Sequence, residues 1–219
     1  MRFFLFGLVC LISLTCREVE PFSNPTAING YQIDGRVTTE NGIPIDSVEV
    51  RLYYYFDYVS NKPLDTITIV VTDSMKTVDI SVVDRKYNLV RTLYFGLWRQ
   101  GDTIPRFKWN GLDSKNQQVP SGLYYMQYTI DTLLIKSSPM IIDGHITAVT
   151  DKGGRFTISD FNLPIDSKFD AYNDDDTFYG VMSVLPEVAL VLTKNGRYAE
   201  YSSIDLTKNN IKTLALTLK

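Results

Sequence analysis

Three groups of side chains in this sequence have the chemistry of a functional site. The first is His145, the single histidine among 219 residues. A Ser-His-Asp triad would depend on it as the general base, but we favour a solvated or hydrogen-bonded histidine in a strand that we predict at residues 145–149. With one histidine and two cysteines in the whole chain, a metal site built from imidazole and thiolate ligands is excluded.

The second group is an acidic segment, residues 166–179, which contains five aspartates and four aromatic residues. Oxygen-rich loops can hold Ca²⁺, and long loops on a rigid scaffold often carry recognition. The spacing matches no calcium loop, so we favour a solvated acidic loop and leave a metal site open. Asp174, Asp175 and Asp176 are its candidate ligand-binding residues.

The third group is the aromatic run Tyr53-Tyr54-Tyr55-Phe56. In a strand, alternate side chains point to opposite faces, so Tyr53 and Tyr55 share the face opposite Tyr54 and Phe56. An aromatic pair on an open face could stack on sugar rings. Packing of the same pair against a neighbouring part of the chain is the alternative that we favour.

Composition excludes some function classes. The net charge is −3 without basic runs, so the clustered Lys and Arg of a nucleic-acid-binding protein are missing. The many Asp and Glu could supply a carboxylate pair for hydrolysis, but no pattern supports one. We therefore expect no catalytic residue, no cofactor and no nucleic-acid partner.

The amino end has the pattern of an export signal. Met1-Arg2 gives a positive start, and residues 3–14 form an apolar run that is short for a membrane span. The run ends at Cys16, an arrangement that resembles a bacterial lipoprotein signal, although Ser13 and Thr15 depart from the usual residues. The resemblance implies a lipid-modified Cys16 and a cell-envelope lipoprotein that is anchored in the outer membrane and faces either the periplasm or the cell surface. A cleaved secretory peptide with an incidental cysteine is the alternative.

The cysteines predict a fold without disulfides. Cys10 lies inside the signal, and Cys16 is the only other cysteine, so packing alone must hold the mature protein together. Residues 17–28 are polar with two prolines and no periodicity, which is typical of a linker between an anchor and a folded body.

From Tyr31 onward the pattern is that of an all-β protein, which we expect to form sandwiches. Short segments rich in Val, Ile, Thr, Tyr and Phe recur between turn signals, and no long stretch has helical periodicity. The turn signals are Asn41-Gly42, Asn110-Gly111, Ser121-Gly122, Gly153-Gly154 and Asn195-Gly196.

The first strands resemble the start of the carboxypeptidase regulatory-like family, a transthyretin-like seven-stranded sandwich. The family's next hairpin is absent near residue 60 and is found at Thr150-Asp151-Lys152-Gly153-Gly154-Arg155-Phe156. The module then continues through residues 188–193 to a closing strand at 213–218. The matching opening residues are Gly35, Val37, Thr38, Gly42, Pro44, Ile45, Val48, Val50 and Leu52. Such modules accompany enzymes and receptors without catalytic residues of their own.

The intervening segment "FKWNGLDSKNQQVPSGLYYMQYTI", from Phe107, resembles the immunoglobulin-like domain of the flagellar hook-capping protein family. Its glycine pairs favour tight turns, and residues 124, 126, 128 and 130 are expected to point inward. A hairpin at Asp131-Thr132 should lead to strands at 133–135 and 140–142. The matching residues are Trp109, Asn110, Gly111, Asp113, Val119, Ser121, Gly122 and Tyr124.

These observations predict an insertion. Residues 64–142 would form the hook-cap-like sandwich, placed inside a discontinuous carboxypeptidase regulatory-like sandwich made of residues 29–63 and 143–219. Surface loops tolerate such insertions. Tandem sandwiches are the alternative, but residues 29–63 are few for a stable sandwich.

The function expected from the sequence is that of a non-enzymatic cell-envelope lipoprotein that binds another protein or has a structural role. A surface carbohydrate-binding module is the second hypothesis, with Tyr53 and Tyr55 as the contacts. An envelope hydrolase that uses paired carboxylates is the third and least supported.

Overall fold

The computed structural model describes residues 30–65, 68–72, 75–207 and 210–219. The signal, Cys16 and the linker at residues 17–28 lie outside the described residues, so those predictions stay predictions. In the described part of the chain, no helix is long and apolar enough to cross a membrane.

The described residues are organised in β-strands, as the alternation between glycine-rich turns predicts, with one short 3-10 helix at Asp160–Asn162. The strands are β1 (Gln32–Thr38), β2 (Glu49–Ser60), β3 (Met75–Asp84), β4 (Leu89–Arg99), β5 (Gly122–Ile130), β6 (Leu133–Ile142), β7 (Ile146–Val149), β8 (Arg155–Ile158), β9 (Lys168–Tyr172), β10 (Phe178–Lys194), β11 (Arg197–Asp205) and β12 (Ile211–Thr217).

The strands form three sheets. Sheet A has the order β12-β1-β8, and its β1 and β12 run parallel. Sheet B has the order β11-β10-β2-β7, with β9 also paired to β10. Sheet C has the order β4-β3-β5-β6 and is antiparallel throughout.

Sheets A and B share one hydrophobic core, as the two layers of a sandwich do. Ile33 and Val37 of sheet A are fully buried in the same cluster as Leu52 and Leu190 of sheet B. The predicted inner face of β2 is confirmed, because Val48, Val50, Leu52 and Tyr54 are buried and Phe56 packs against them. Burying each large aliphatic side chain contributes about 1.5–3 kcal/mol.

Sheet C has its own core. Val78 and Ile80 of β3 and Met126 and Tyr128 of β5 are buried on one face, as predicted for β5. Two segments cover that face: the segment before β3, with Ile69 and Val71, and the segment between β4 and β5, with Ile104, Phe107 and Trp109. A bridge between Val70 and Thr103 joins these two segments.

Three local predictions were wrong. Residues 166–179 are not one acidic loop, because β9 pairs with β10 and Phe169 packs edge-to-face on Phe56, with ring centroids 5.4 Å apart. The two strands expected at 133–135 and 140–142 are one strand, β6, whose Pro139 is tolerated at a sheet edge. Neither Ser121 nor Gly122 has a positive φ, whereas Gly111 does, at 72°.

The strand pairing follows the division predicted from the sequence. In the described residues, β1 and β2 pair only with strands after residue 142, and β3 to β6 pair only with one another. This is the pairing that an insertion of residues 64–142 requires. Independent folding of the two parts stays a prediction.

Replacing residues 64–142 with a short Gly-Ser linker should leave a folded β protein, because the core between sheets A and B contains no side chain of sheet C except the partly buried Ile141. Residues 64–142 alone should also fold around their own core. Circular dichroism and cooperative urea unfolding of the two shortened proteins would test this. Disordered flanks without the middle segment would show that the two parts depend on each other for folding.

Candidate functional site

Residues 64–142, which build sheet C, contact the rest of the described chain around Ser121, which is fully buried. We call these the two parts of the molecule. Its Oγ lies 2.9 Å from the carbonyl oxygen of Leu52 and 3.1 Å from that of His145, and it accepts a hydrogen bond from the backbone N–H of His145 at 2.9 Å. Leu52 belongs to β2, and His145 directly precedes β7. Ser121, which belongs to residues 64–142, therefore lies where two strands of sheet B, β2 and β7, meet. We call this contact the seam.

Polar contacts extend from this seam. The side-chain amide of Asn162 donates to the carbonyl of Ser121 at 2.8 Å, and the buried Tyr54 hydroxyl donates to the carbonyl of Asn162 at 2.7 Å. The Asp143 carboxylate accepts from the backbone N–H of Tyr54 at 3.0 Å. Burial raises the pKa of Asp143, so ionising it opposes folding increasingly as the pH rises through that pKa.

His145 has a structural environment. Its Nδ1 lies 2.8 Å from the carbonyl oxygen of Val119, so Nδ1 carries the proton and donates it. The hydroxyl of Ser121 hydrogen-bonds to the backbone N–H and carbonyl of His145. A nucleophile and its base need a hydrogen bond between serine Oγ and an imidazole nitrogen, so these two residues do not have the geometry of a triad. His145 is hydrogen-bonded, as we expected.

The three aspartates of the acidic segment lie in the turn between β9 and β10, and each has an internal partner. Asp176 pairs with Arg106 at 2.8 Å and with Lys108 at 2.9 Å. The carbonyl of Asp174 accepts from Lys108 at 3.3 Å. Hydrogen bonds from the Thr177 side chain and backbone lower the pKa of Asp175. Asp174 and Asp176 therefore contact basic side chains, Arg106 and Lys108, from the segment between β4 and β5.

Arg106 makes a second contact with the same hairpin. Its guanidinium carbon lies 3.4 Å from the centroid of the Tyr172 ring, and such cation–π contacts contribute about 0.5–2 kcal/mol. Farther along β9, Asp170 accepts from the backbone N–H of Leu64 at 2.9 Å. We call Arg106, Lys108, Tyr172 and Asp176 the latch.

Two adjoining cavities of ≈ 240 and ≈ 420 Å³ flank the latch. Both are lined by Arg106, Phe107, Met140, Asp170 and Tyr172. Two basic side chains that line these cavities form ion pairs within the chain. Arg106 pairs with Asp176, and Lys136 pairs with Asp65 at 3.4 Å. In the described part of the chain, no cluster of three or more His, Cys, Asp or Glu could hold a metal ion.

The tyrosine pair lies where strand alternation predicted it. Tyr53 and Tyr55 are on the outer face of sheet B and are 37% and 36% exposed. The Tyr53 ring packs over Gly144, where an added Cβ would lie 2.7 Å from Tyr53 Cε1. Tyr53 thus contacts the chain just after β6, while a third of the side chain remains open to solvent.

Sequence reasoning missed an apolar surface on β4. Leu89, Phe95 and Leu97 are 65%, 71% and 62% exposed. Phe95 is paired with Asp79 and Leu97 with Thr77 on β3, so both point away from the buried face that holds Val78 and Ile80. The alternation in "LVRTLYFGLWR" marks two faces, but it does not tell which face the rest of the chain covers.

Comparison of the chain with protein-family models, with curated proteins and with solved structures found no match. The resemblances to the carboxypeptidase regulatory-like and hook-capping families therefore depend on the residues quoted above, and membership of either family stays a prediction.

Ser121→Ala should lower the free energy of unfolding by about 1–3 kcal/mol, because the partly buried N–H of His145 would lose its acceptor. Urea unfolding followed by tryptophan fluorescence would measure the loss, with the exposed Ser202→Ala as the matched control. Equal stability of the two variants would show that the seam does not depend on this hydroxyl.

Proposed function

We propose that this protein is a non-enzymatic lipoprotein of the bacterial cell envelope that binds another protein through the outer face of β4. The observation that carries the proposal is the exposure of Leu89, Phe95 and Leu97 on one edge strand. Single exposed apolar residues are normal, but large ones grouped on one surface mark interaction sites.

The surroundings of these side chains support docking. The outer-face positions of β3 beside Phe95 and Leu97 are polar, namely Asp79 and Thr77, whereas Leu89 pairs with the buried Val83. An apolar strip beside a polar surface has the composition of an interface with a hydrophobic centre and a polar rim. Phe95 in particular offers a large rigid group for a partner's pocket.

A non-enzymatic role is supported by the use of the reactive residues. The single histidine is held by a backbone carbonyl, and the aspartate run is held by the latch and by Thr177. These side chains stabilise contacts between parts of the chain. The proposed location at the outer membrane is supported by the signal pattern that ends at Cys16.

A photocrosslinking amino acid in place of Phe95 or Leu97 should give one discrete adduct with a second protein in cells of the native host. Tyr198, which is exposed on sheet B, is the matched control position and should not give that adduct. In a Phe95→Ser background, the adduct from position 97 should fall about tenfold, as expected when an interface hot spot is lost.

Anchoring can be tested in the same cells. In a Cys16→Ala strain, the protein should leave the membrane fraction and the adduct should weaken, since the lipid would no longer concentrate the protein beside its partner. The absence of an adduct at positions 95 and 97, or equal labelling from Tyr198, would contradict the proposed binding face.

Carbohydrate binding is a second candidate, favoured by the exposure of Tyr53 and Tyr55 side by side on sheet B. Aromatic rings on a flat strand surface can stack on sugar rings, and Tyr198 on β11 lies near enough to Tyr53 to interact with it electrostatically.

The Tyr53→Ala and Tyr55→Ala double variant should lose retention on insoluble polysaccharide columns without a lower melting temperature, if these rings bind glycans. Tyr87→Ala, which removes an exposed tyrosine beside sheet C, is the control and should retain binding. A large loss of stability in the double variant would instead favour a packing role through Gly144.

A further inference from the structure

We propose that the partner contributes an extended segment that adds a strand to the free edge of β4, with apolar side chains at alternate positions and acidic residues at both ends. The proposal depends on the protein-binding function proposed above and specifies the partner's chemistry at the same surface. Recognition by strand addition combines backbone hydrogen bonds with pockets for alternate side chains.

The edge of β4 has free backbone groups. The strand pairs with β3 on one side only. On the other side, Ser114 donates to the carbonyl of Val90, and Asp102 donates to the carbonyl of Arg99. Between these two points, no described residue outside β3 makes a backbone hydrogen bond to residues 91–98. Register shifts at Ile80/Ser81 and Val82/Val83 interrupt the pairing of β4 with β3 before residue 94. The regular part of the stretch, residues 94–98, spans about 16 Å at 3.3 Å per residue, which is enough to pair with an added strand of about five residues.

The opposite edge of the same sheet is protected. β6 carries Pro139, which cannot donate to an added strand, and Lys136, which pairs with Asp65 at 3.4 Å. Proline and lysine are common means of preventing edge-to-edge association. Between Val90 and Arg99, β4 has neither proline nor lysine. The β4 edge therefore lacks the residues that disfavour strand addition at β6.

The charges on β4 favour an acidic partner. The strand contains Arg91 and Arg99 and no acidic residue. Arg91 donates to the carbonyl of Asp113 and to the side chain of Asn116, both at 3.1 Å, and neither arginine forms an ion pair with a carboxylate of the described residues. The two arginines flank Phe95 and Leu97, so an apolar segment with carboxylates at both ends is complementary in charge and in side-chain pattern.

The same charges disfavour a second copy of this chain as the occupant. An antiparallel pair of β4 strands centred on Phe95 would place Arg91 of one copy opposite Arg99 of the other. Like charges directly opposite each other destabilise a strand pair. A foreign strand with acidic ends has no such repulsion.

The test uses the full chain carrying Cys16→Ala and the synthetic peptide DDVTVTVTVDD, with binding measured by fluorescence anisotropy. Successive amides of a strand point to opposite sides, so N-methylation of the valine amides and of the threonine amides should have different effects. We expect one methylated peptide to bind at least about tenfold more weakly and the other to bind normally, since several hydrogen bonds of about 0.5–1.5 kcal/mol each would be lost in only one.

Two controls test the side chains and the charges. Phe95→Ser should weaken binding about tenfold, whereas Leu133→Ser, at another exposed apolar residue of sheet C, should not change it. The peptide KKVTVTVTVKK should bind more weakly than the acidic peptide by a similar factor, and addition of salt should reduce the difference.

Three outcomes would overturn strand addition: no binding of the acidic peptide at millimolar concentration, equal sensitivity to both methylation patterns, or a crosslink from position 95 to a second copy of the chain. A discrete adduct between position 95 and another protein in cells, together with equal effects of both methylations, would reject strand addition and retain the proposed binding face. Absence of that adduct would reject the binding face itself.

Discussion

A buried hydroxyl group joins the two parts of the molecule, residues 64–142 and the rest of the described chain. Ser121 comes from the segment that builds sheet C, yet its Oγ completes the hydrogen bonding of Leu52 and His145 in sheet B. A buried N–H without an acceptor costs more free energy than a typical hydrogen bond contributes. Separating the two parts would leave such groups unpaired unless water replaced the serine hydroxyl. The seam therefore holds the start of β5 against β2 and the residue that precedes β7.

The latch provides a second fixed point. Arg106 and Lys108 reach Asp176 from the segment that covers sheet C, and Arg106 also stacks on Tyr172 of β9. Exposed ion pairs contribute little individually, but these contacts act together with the buried seam. Two separated points of attachment restrict rotation between the parts more than either does alone. Asp176, which was a candidate ligand-binding residue, makes this attachment from the turn between β9 and β10.

Local patterns in the sequence predicted the strands and the inner faces, because alternation from Val48 to Tyr54 and from Tyr124 to Tyr128 is a property of each strand by itself. The seam could not be predicted in this way. Ser121 follows a turn-rich segment, and its glycine neighbour resembles a turn residue, whereas its actual role depends on strands about 70 and 24 residues away in the chain. The ion pairs of Asp176 could not be predicted for the same reason, since its partners, Arg106 and Lys108, lie on a distant segment.

The exposed strand β4 is a consequence of how sheet C is attached. The attachment uses β5, β6 and the segments next to them, so β6 faces the side where β9 and Asp65 lie, and β4 becomes the outer edge. Residues on β4 take no part in the seam or in the latch. Leu89, Phe95 and Leu97 therefore have no identified role in holding the fold together, and their exposure costs hydrophobic free energy that a partner would recover. Substitutions of exposed residues on β4 should therefore leave the contact between the two parts of the chain unchanged.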